Sequence, residues 1–206
     1  MAANRSVEFF ETQFRRQVTA REFTLNPFEE AALPYLQGRV LDLGCGLGNL
    51  SVAAARRGCE VVAVEASPTA IEHLTRVALA EALPLTAVQR DVQQLEVSET
   101  FDVVVAIGLL MFFPRPIALE LLEKVQRAVR PGGCAIVNVL VQGTTFMDMF
   151  DGDRYCLFSA EEVEAAFGDW TTLLARRDEF PAANGTVKRF TTLIARRPAG
   201  AGSRRP

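Results

Sequence analysis

The chain has 206 residues, 49% of them hydrophobic and 23% charged, and a formal net charge of −3. That length suits one domain with a sizeable core, and the apolar content excludes a disordered chain. The acidic balance offers no general attraction to nucleic acid or to an anionic membrane, and the paired arginines (15–16, 56–57, 176–177 and 196–197) are scattered as a solvated surface would have them.

In chain order, residues 1–35 are expected to form a helical cap, and 1–198 a single domain. The first strand is predicted over 39–44 ("RVLDLG"). Further strands are predicted over 60–65 ("EVVAVE"), 85–91 ("LTAVQRD"), 101–108 ("FDVVVAIG") and 134–140 ("CAIVNVL"). The second and fourth are nearly continuous Val, Ala and Ile, the pattern of strands covered on both faces. Helices fall between them. Ser67-Pro68 supplies an N-cap and first-turn proline for one. Another starts near Pro116, carries Leu119, Leu122, Val125 and Val129 at helical spacing, and is expected to end at Pro131-Gly132-Gly133.

Strand and helix alternating in this way predict an α/β fold, with a mostly parallel sheet and helices on both faces. After residue 140 a loop-rich stretch leads to a short helix whose Ser159 and Glu162 fit a capping box. Strands over 170–178 and 186–197 follow, joined through Pro181 and Asn184-Gly185 as an antiparallel hairpin. The tail, 199–206, is expected to be disordered.

The stretch "VLDLGCGLGNLS" (40–51) reads as a strand, a glycine turn and a helix start. Glycines at 44, 46 and 48 let backbone approach a ligand, with unpaired helix N–H groups beyond. Asn49 follows Gly48, which breaks the dinucleotide fingerprint, and no Gly-Lys-Ser/Thr follows to make a phosphate loop. Glu65 ends the second predicted strand, where a carboxylate can accept ribose hydroxyls. Asp91 ends the third, where one can accept an adenine amino group. The alternative for each acid is an N-cap or a solvated loop.

Taken together, "VLDLGCGLGNLS", "VVAVEASPTAIE", "VQRDVQQL", "FDVVVAIGLLMFF" and "AVRPGG" resemble the class I S-adenosylmethionine-dependent methyltransferases over residues 36–141. The resemblance implies a Rossmann-like seven-stranded sheet whose last strand is antiparallel. It implies S-adenosylmethionine as cofactor and S-adenosylhomocysteine as product. Asp42 and the backbone of Gly44, Cys45 and Gly46 would hold the methionine part, and Glu65 the ribose. Ala66, Asp91 and Val92 would enclose the adenine, and Ile107 and Gly108 would line the methyl-transfer side. The second half is similar to the tellurite-resistance methyltransferases in "LLMFF", "VQRAVRPGG", "SAEEVEAAFGDW" and "KRFTTLIARR". Where that family carries a Thr-His-Ser-Glu stretch this chain has "LNPFEE" (25–30), and where it carries a hairpin histidine this chain has "DEFPAAN" (178–184).

The acceptor pocket is expected from segments outside the core, with Phe23, Met111, Phe112, Phe146, Arg154 and Tyr155 as its candidates. Arg21 and Arg115 are further candidates for an anionic partner. His73, the single histidine, falls mid-helix in the scaffold and reads as a surface or partly packed residue, and Cys45 as a small packing residue. No residue is assigned as general base. The preferred acceptor is therefore a small molecule already nucleophilic at neutral pH, a soft chalcogen oxyanion, thiol or selenol type. O- or N-methylation of a small metabolite is the alternative, and a nicotinamide oxidoreductase or a non-catalytic cofactor-binding module are the rivals. No Cys-x-x-Cys pair or zinc-ligand spacing occurs, so no metal is expected and the four thiols are taken as reduced. With no membrane-length apolar run and no signal-peptide pattern, the expected setting is cytoplasmic. Nucleic acid and membrane are not expected as partners, and the chain is expected as a monomer or homodimer.

Overall fold

The computed structural model describes residues 5–150, 152 and 154–200. Residues 201–206 of the expected disordered tail lie outside it. Two N-terminal helices, α1 (Arg5–Ala20) and α2 (Pro27–Ala32), precede the first strand. The chain then runs β1 (Arg39–Leu43), α3 (Asn49–Arg56), β2 (Glu60–Glu65), α4 (Pro68–Ala80), β3 (Leu85–Gln89), β4 (Phe101–Ile107), α5 (Arg115–Ala128) and β5 (Val129–Leu140). A short helix, α6 (Ala160–Ala166), leads into β6 (Thr171–Pro181) and β7 (Val187–Arg196).

These strands form one sheet in the order β3-β2-β1-β4-β5-β7-β6. β1 to β5 pair in parallel, and β7 runs antiparallel to both β5 and β6. The order reverses between β1 and β4, so a crevice opens at the carboxyl ends of those strands, the usual ligand position in open α/β sheets. Residues Val103 to Ala106 of β4 are fully buried, because α5 and α6 cover one face of the sheet while α2, α3 and α4 cover the other.

Local signals act as read. The Ser67 hydroxyl accepts the Ala70 N–H at 3.1 Å to start α4, and Ser159 and Glu162 form a reciprocal capping box at α6. Three expectations need correction. α5 ends at Ala128, and Val129 already pairs with Phe101 as part of β5, so Pro131-Gly132-Gly133 lies inside a strand rather than at a helix end. The ladder is irregular there, and a β-carbon on Gly133 would come within 2.6 Å of the Asp102 carbonyl oxygen, so that close approach requires glycine. Leu119 faces solvent at 42% exposure while Ala118, Leu121 and Leu122 take the buried face. β3 stops at Gln89, and Asp91 instead caps a 3₁₀ turn, its Oδ1 accepting the Gln93 N–H at 2.9 Å. Among the described residues no helix is long and apolar enough to cross a membrane.

Candidate cofactor and acceptor site

The turn after β1 is held against β2. Gly44 and Cys45 both donate their N–H groups to the Val64 carbonyl, at 2.8 and 3.1 Å. Gly46 has φ +54°, and a β-carbon there would lie 3.2 Å from the Phe14 ring of α1. Backbone at this point therefore runs close beneath the Phe14 ring of α1, where a side chain would crowd it. Glu65, the last residue of β2, ties the turn from the other side. Its Oε2 accepts the Gly46 N–H at 3.2 Å, and its Oε1 accepts Ala66 and Ser67 N–H groups at 2.8 and 3.0 Å. An ionised carboxylate has about four lone-pair sites, so these bonds leave capacity for a ligand.

A cavity of about 470 Å³ opens above this edge of the sheet. The structure brings all ten residues read as cofactor contacts to its wall: Asp42, Gly44, Cys45 and Gly46 from the first strand and turn, Glu65 and Ala66 at the end of β2, Asp91 and Val92 after β3, and Ile107 and Gly108 at the end of β4. α1 closes the cavity with Phe10, Gln13, Phe14 and Gln17. Glu11 on the same helix hydrogen-bonds Ser67 and Thr69 at the start of α4, which holds α1 in place.

Asp42 is 5% exposed, and the Ser51 hydroxyl donates to its Oδ2 at 2.6 Å. Burial pushes its pKa up to about 7, the Ser51 bond opposes that, and the Glu29 and Glu65 charges add to it. Burial likewise raises Glu29, against the hydrogen bond from the Asn26 N–H. The Cys45 thiol is raised well above its ordinary range, chiefly by burial and then by Asp42 and Glu65, so it is no thiolate nucleophile. Four carboxylates (Glu29, Asp42, Glu65 and Asp91) and one guanidinium (Arg90) line the cavity. Such a lining attracts cationic and hydrogen-donating ligands.

Of the six acceptor-pocket candidates, Met111 and Phe112 line the cavity. The other four lie elsewhere. Phe23 stacks on His73 at 4.4 Å, outside the cavity wall. Phe146 sits under the Lys188 ammonium, Tyr155 stacks on Phe150, and Arg154 is exposed. Arg21 is exposed as well, and Arg115 pairs with Glu162 at the surface. His73 is 7% exposed, more deeply packed than its mid-helix position suggests.

Sequence reasoning missed Asn26 and Glu29 of α2, Asn138 of β5, and Phe190 of β7, all on the cavity wall. The α2 pair carried a signal, since Asn26-Pro27-Phe28-Glu29 is a capping box with proline at the first helical position. Asn138 carried one too, as the single polar residue in "CAIVNVL". It is fully buried, donates to Thr192 Oγ1 at 2.9 Å and to the Thr191 carbonyl at 3.3 Å, and its Oδ1 has no partner. A buried acceptor left unpaired costs about 1–3 kcal/mol.

The glycine turn at Gly44–Gly46, the carboxylates at the end of β2 and after β3, and the acidic lining fit a cationic adenosyl cofactor. Residues 40–133 match the family model described as a methyltransferase domain. The matched residues, just under half of the chain, are thus similar to a methyltransferase domain. The chain is 27% identical over 186 residues to Hemagglutinin 1 of Eikenella corrodens, covering 85% of this chain and 60% of that protein. It is 32% identical over 143 residues to the carboxy-S-adenosyl-L-methionine synthase of Geobacter metallireducens, covering 65% of this chain and 58% of that one. It thus spans about 60% of the length of these curated relatives. Among solved structures, TehB from Haemophilus influenzae superposes with a TM-score of 0.70 at 21% identity, covering 84% of this chain and 62% of TehB. At that identity the likeness extends to the fold alone.

Proposed function

We propose that the protein transfers a methyl group from S-adenosylmethionine to a small molecule. The observation that carries this reading is the convergence of the carboxyl ends of β1, β2, β3 and β4 on one cavity, with Gly46, Glu65 and Asp91 on its wall. When bound, S-adenosylmethionine would supply an electrophilic sulfonium methyl for transfer to an acceptor's lone pair. Asp42 and the Gly44–Gly46 backbone hold the methionine end, Glu65 the ribose, and Ala66, Asp91 and Val92 the adenine. Ile107 and Gly108 face the acceptor. Of the cap expected over 1–35, residues 1–4 lie outside the described residues, and the rest acts as the cap, with α1 excluding water through Phe10 and Phe14.

The acceptor expected from the sequence is a soft nucleophile, and two features support an acceptor of that kind. No histidine lines the cavity among the described residues, so an acceptor needing a strong base is poorly served. Met111, Phe112, Leu140, Met149 and Phe190 give the acceptor side an apolar wall. The charge of the lining then sorts the soft class. With one guanidinium and four carboxylates on the wall, a neutral thiol or selenol, or the amine of the alternative reading, enters more readily than a chalcogen oxyanion. Catalysis is by positioning the two reactants.

The test is S-adenosylhomocysteine release over a panel of tellurite, selenite, thiols, amines and catechols, beside calorimetric binding of S-adenosylhomocysteine and of NAD. Binding of S-adenosylhomocysteine with turnover of a thiol or amine is expected. Binding of NAD alone sinks the methyltransferase reading, and cofactor binding without turnover of any acceptor favours the non-catalytic module.

A further inference from the structure

Asn138 occupies a place in the sheet where a polar side chain is costly. It sits in mid-β5 between Val137 and Val139, and all three are fully buried. Its amide can be oriented in one way only. The Thr191 carbonyl accepts and cannot donate, so the NH₂ group must face β7, where Thr192 Oγ1 also receives it. That leaves Oδ1 as a buried acceptor with no donor, at a residue that lines the cavity. Such orphans call for a specific explanation, and one beside a ligand cavity is most simply met by the ligand.

The position agrees with that. Asn138 pairs with Ile107 across the β4–β5 ladder, and its own carbonyl accepts the Gly108 N–H at 2.9 Å. Ile107 and Gly108 are the residues proposed to face the acceptor. The neighbouring wall is aromatic, with the Phe28 and Phe190 rings 4.6 Å apart.

We infer that Asn138 Oδ1 accepts a hydrogen bond from an N–H of the methyl acceptor, so that the acceptor is an amine with an aromatic or apolar body. Charge separates the amine from its competitors. A thiol or hydroxyl reacts best as an anion, and four carboxylates with a single guanidinium oppose forming one. A neutral amine reacts as it is and gains positive charge, which the same lining favours. The inference rests on the proposed methyl-transfer reading and narrows its acceptor.

The test uses the whole chain loaded with S-adenosylhomocysteine and three monosubstituted benzenes of nearly one shape: aniline, toluene and thiophenol. Aniline is expected to bind about tenfold more tightly than the other two, the size of one well-made hydrogen bond. In Asn138→Leu that preference disappears while S-adenosylhomocysteine affinity is unchanged. The wild-type comparison stands whether or not the variant folds. Equal affinity for the three probes, a preference for thiophenol, or a preference for aniline that persists in folded Asn138→Leu overturns the assignment. Binding of S-adenosylhomocysteine but of none of the probes also overturns it and leaves the cofactor reading intact. Failure to bind S-adenosylhomocysteine defeats that reading itself.

Discussion

The Ser51 hydroxyl, in the first turn of α3 just beyond the glycine loop, donates to the buried Asp42 carboxylate of β1 at 2.6 Å. This single bond is the neutral support given to a carboxyl that burial otherwise drives toward protonation, to a pKa of about 7 from an ordinary 3.8. The site therefore carries a carboxyl that burial holds well above the ordinary carboxylate range.

That sets the pH dependence of cofactor binding. An acid raised in the folded state stabilises the fold below its unfolded pKa, and that contribution is lost as pH rises through about 7. An ammonium group needs the ionised form. Affinity for S-adenosylhomocysteine is thus expected to fall about tenfold per pH unit below about 7 and to level off above it. Calorimetry in two buffers of different ionisation enthalpy at about pH 6 should show proton release on binding. Asp42→Asn should weaken binding and flatten the profile. A flat profile in the wild type would count against Asp42 as the ammonium partner.

Gly46→Ala places a β-carbon 3.2 Å from the Phe14 ring on a backbone at φ +54°. The left-handed backbone costs about 1–3 kcal/mol for a non-glycine residue, and the contact pushes α1 outward. We expect more than about tenfold weaker S-adenosylhomocysteine binding. Adding Phe14→Ala should recover the steric part and leave the backbone part, so the two substitutions should be non-additive. Strict additivity would show that α1 does not press on the turn.

The difference between what could and could not be read beforehand follows from chain distance. The glycine turn, Glu65, Asp91 and Ile107 each lie at the carboxyl end of a strand or just beyond it, and parallel pairing alone carries them to one edge. Asn26, Glu29, Asn138 and Phe190 meet the same cavity only because α2 docks on the sheet and β7 inserts between β5 and β6. Nothing local to those residues encodes that insertion. The aromatic segments were legible as lying outside the core, but the direction of each ring was not. Phe23 turned to His73 and Tyr155 to Phe150, while Phe10 and Phe112 met edge to face at 5.0 Å beside the cavity.

Glu11 fastens α1 to α4. Burial raises its pKa, but hydrogen bonds from Ser67, Thr69 and Arg15 outweigh that and leave it lowered. A carboxylate lowered in the fold stabilises it above the unfolded pKa, and that stabilisation is lost as pH falls through the folded value. Glu11→Gln should cost about 1.5 kcal/mol, the lower end for hydrogen bonds to a charged group. Hydrogen exchange should quicken over residues 8–20 and remain unchanged in β4. Unchanged exchange in α1 would mean that Phe10 and Phe14 alone hold it.

His73 offers a signal that needs no assignment, because it is the only histidine in the chain. Burial lowers its pKa below 6.5, and Arg76 adds to the effect. A histidine kept neutral by the fold leaves stability intact above pH 6.5 and withdraws it as pH falls below that value. Phe23 covers the imidazole, with ring planes 19° apart. Phe23→Ala should cost about 0.5–1.5 kcal/mol at neutral pH, the range for an aromatic pair. It should also hydrate the imidazole, so its NMR titration midpoint should move up toward 6.5 and acid sensitivity should lessen. A midpoint that stays low in Phe23→Ala would place the shift on the helix packing around His73 instead of on the stacked ring.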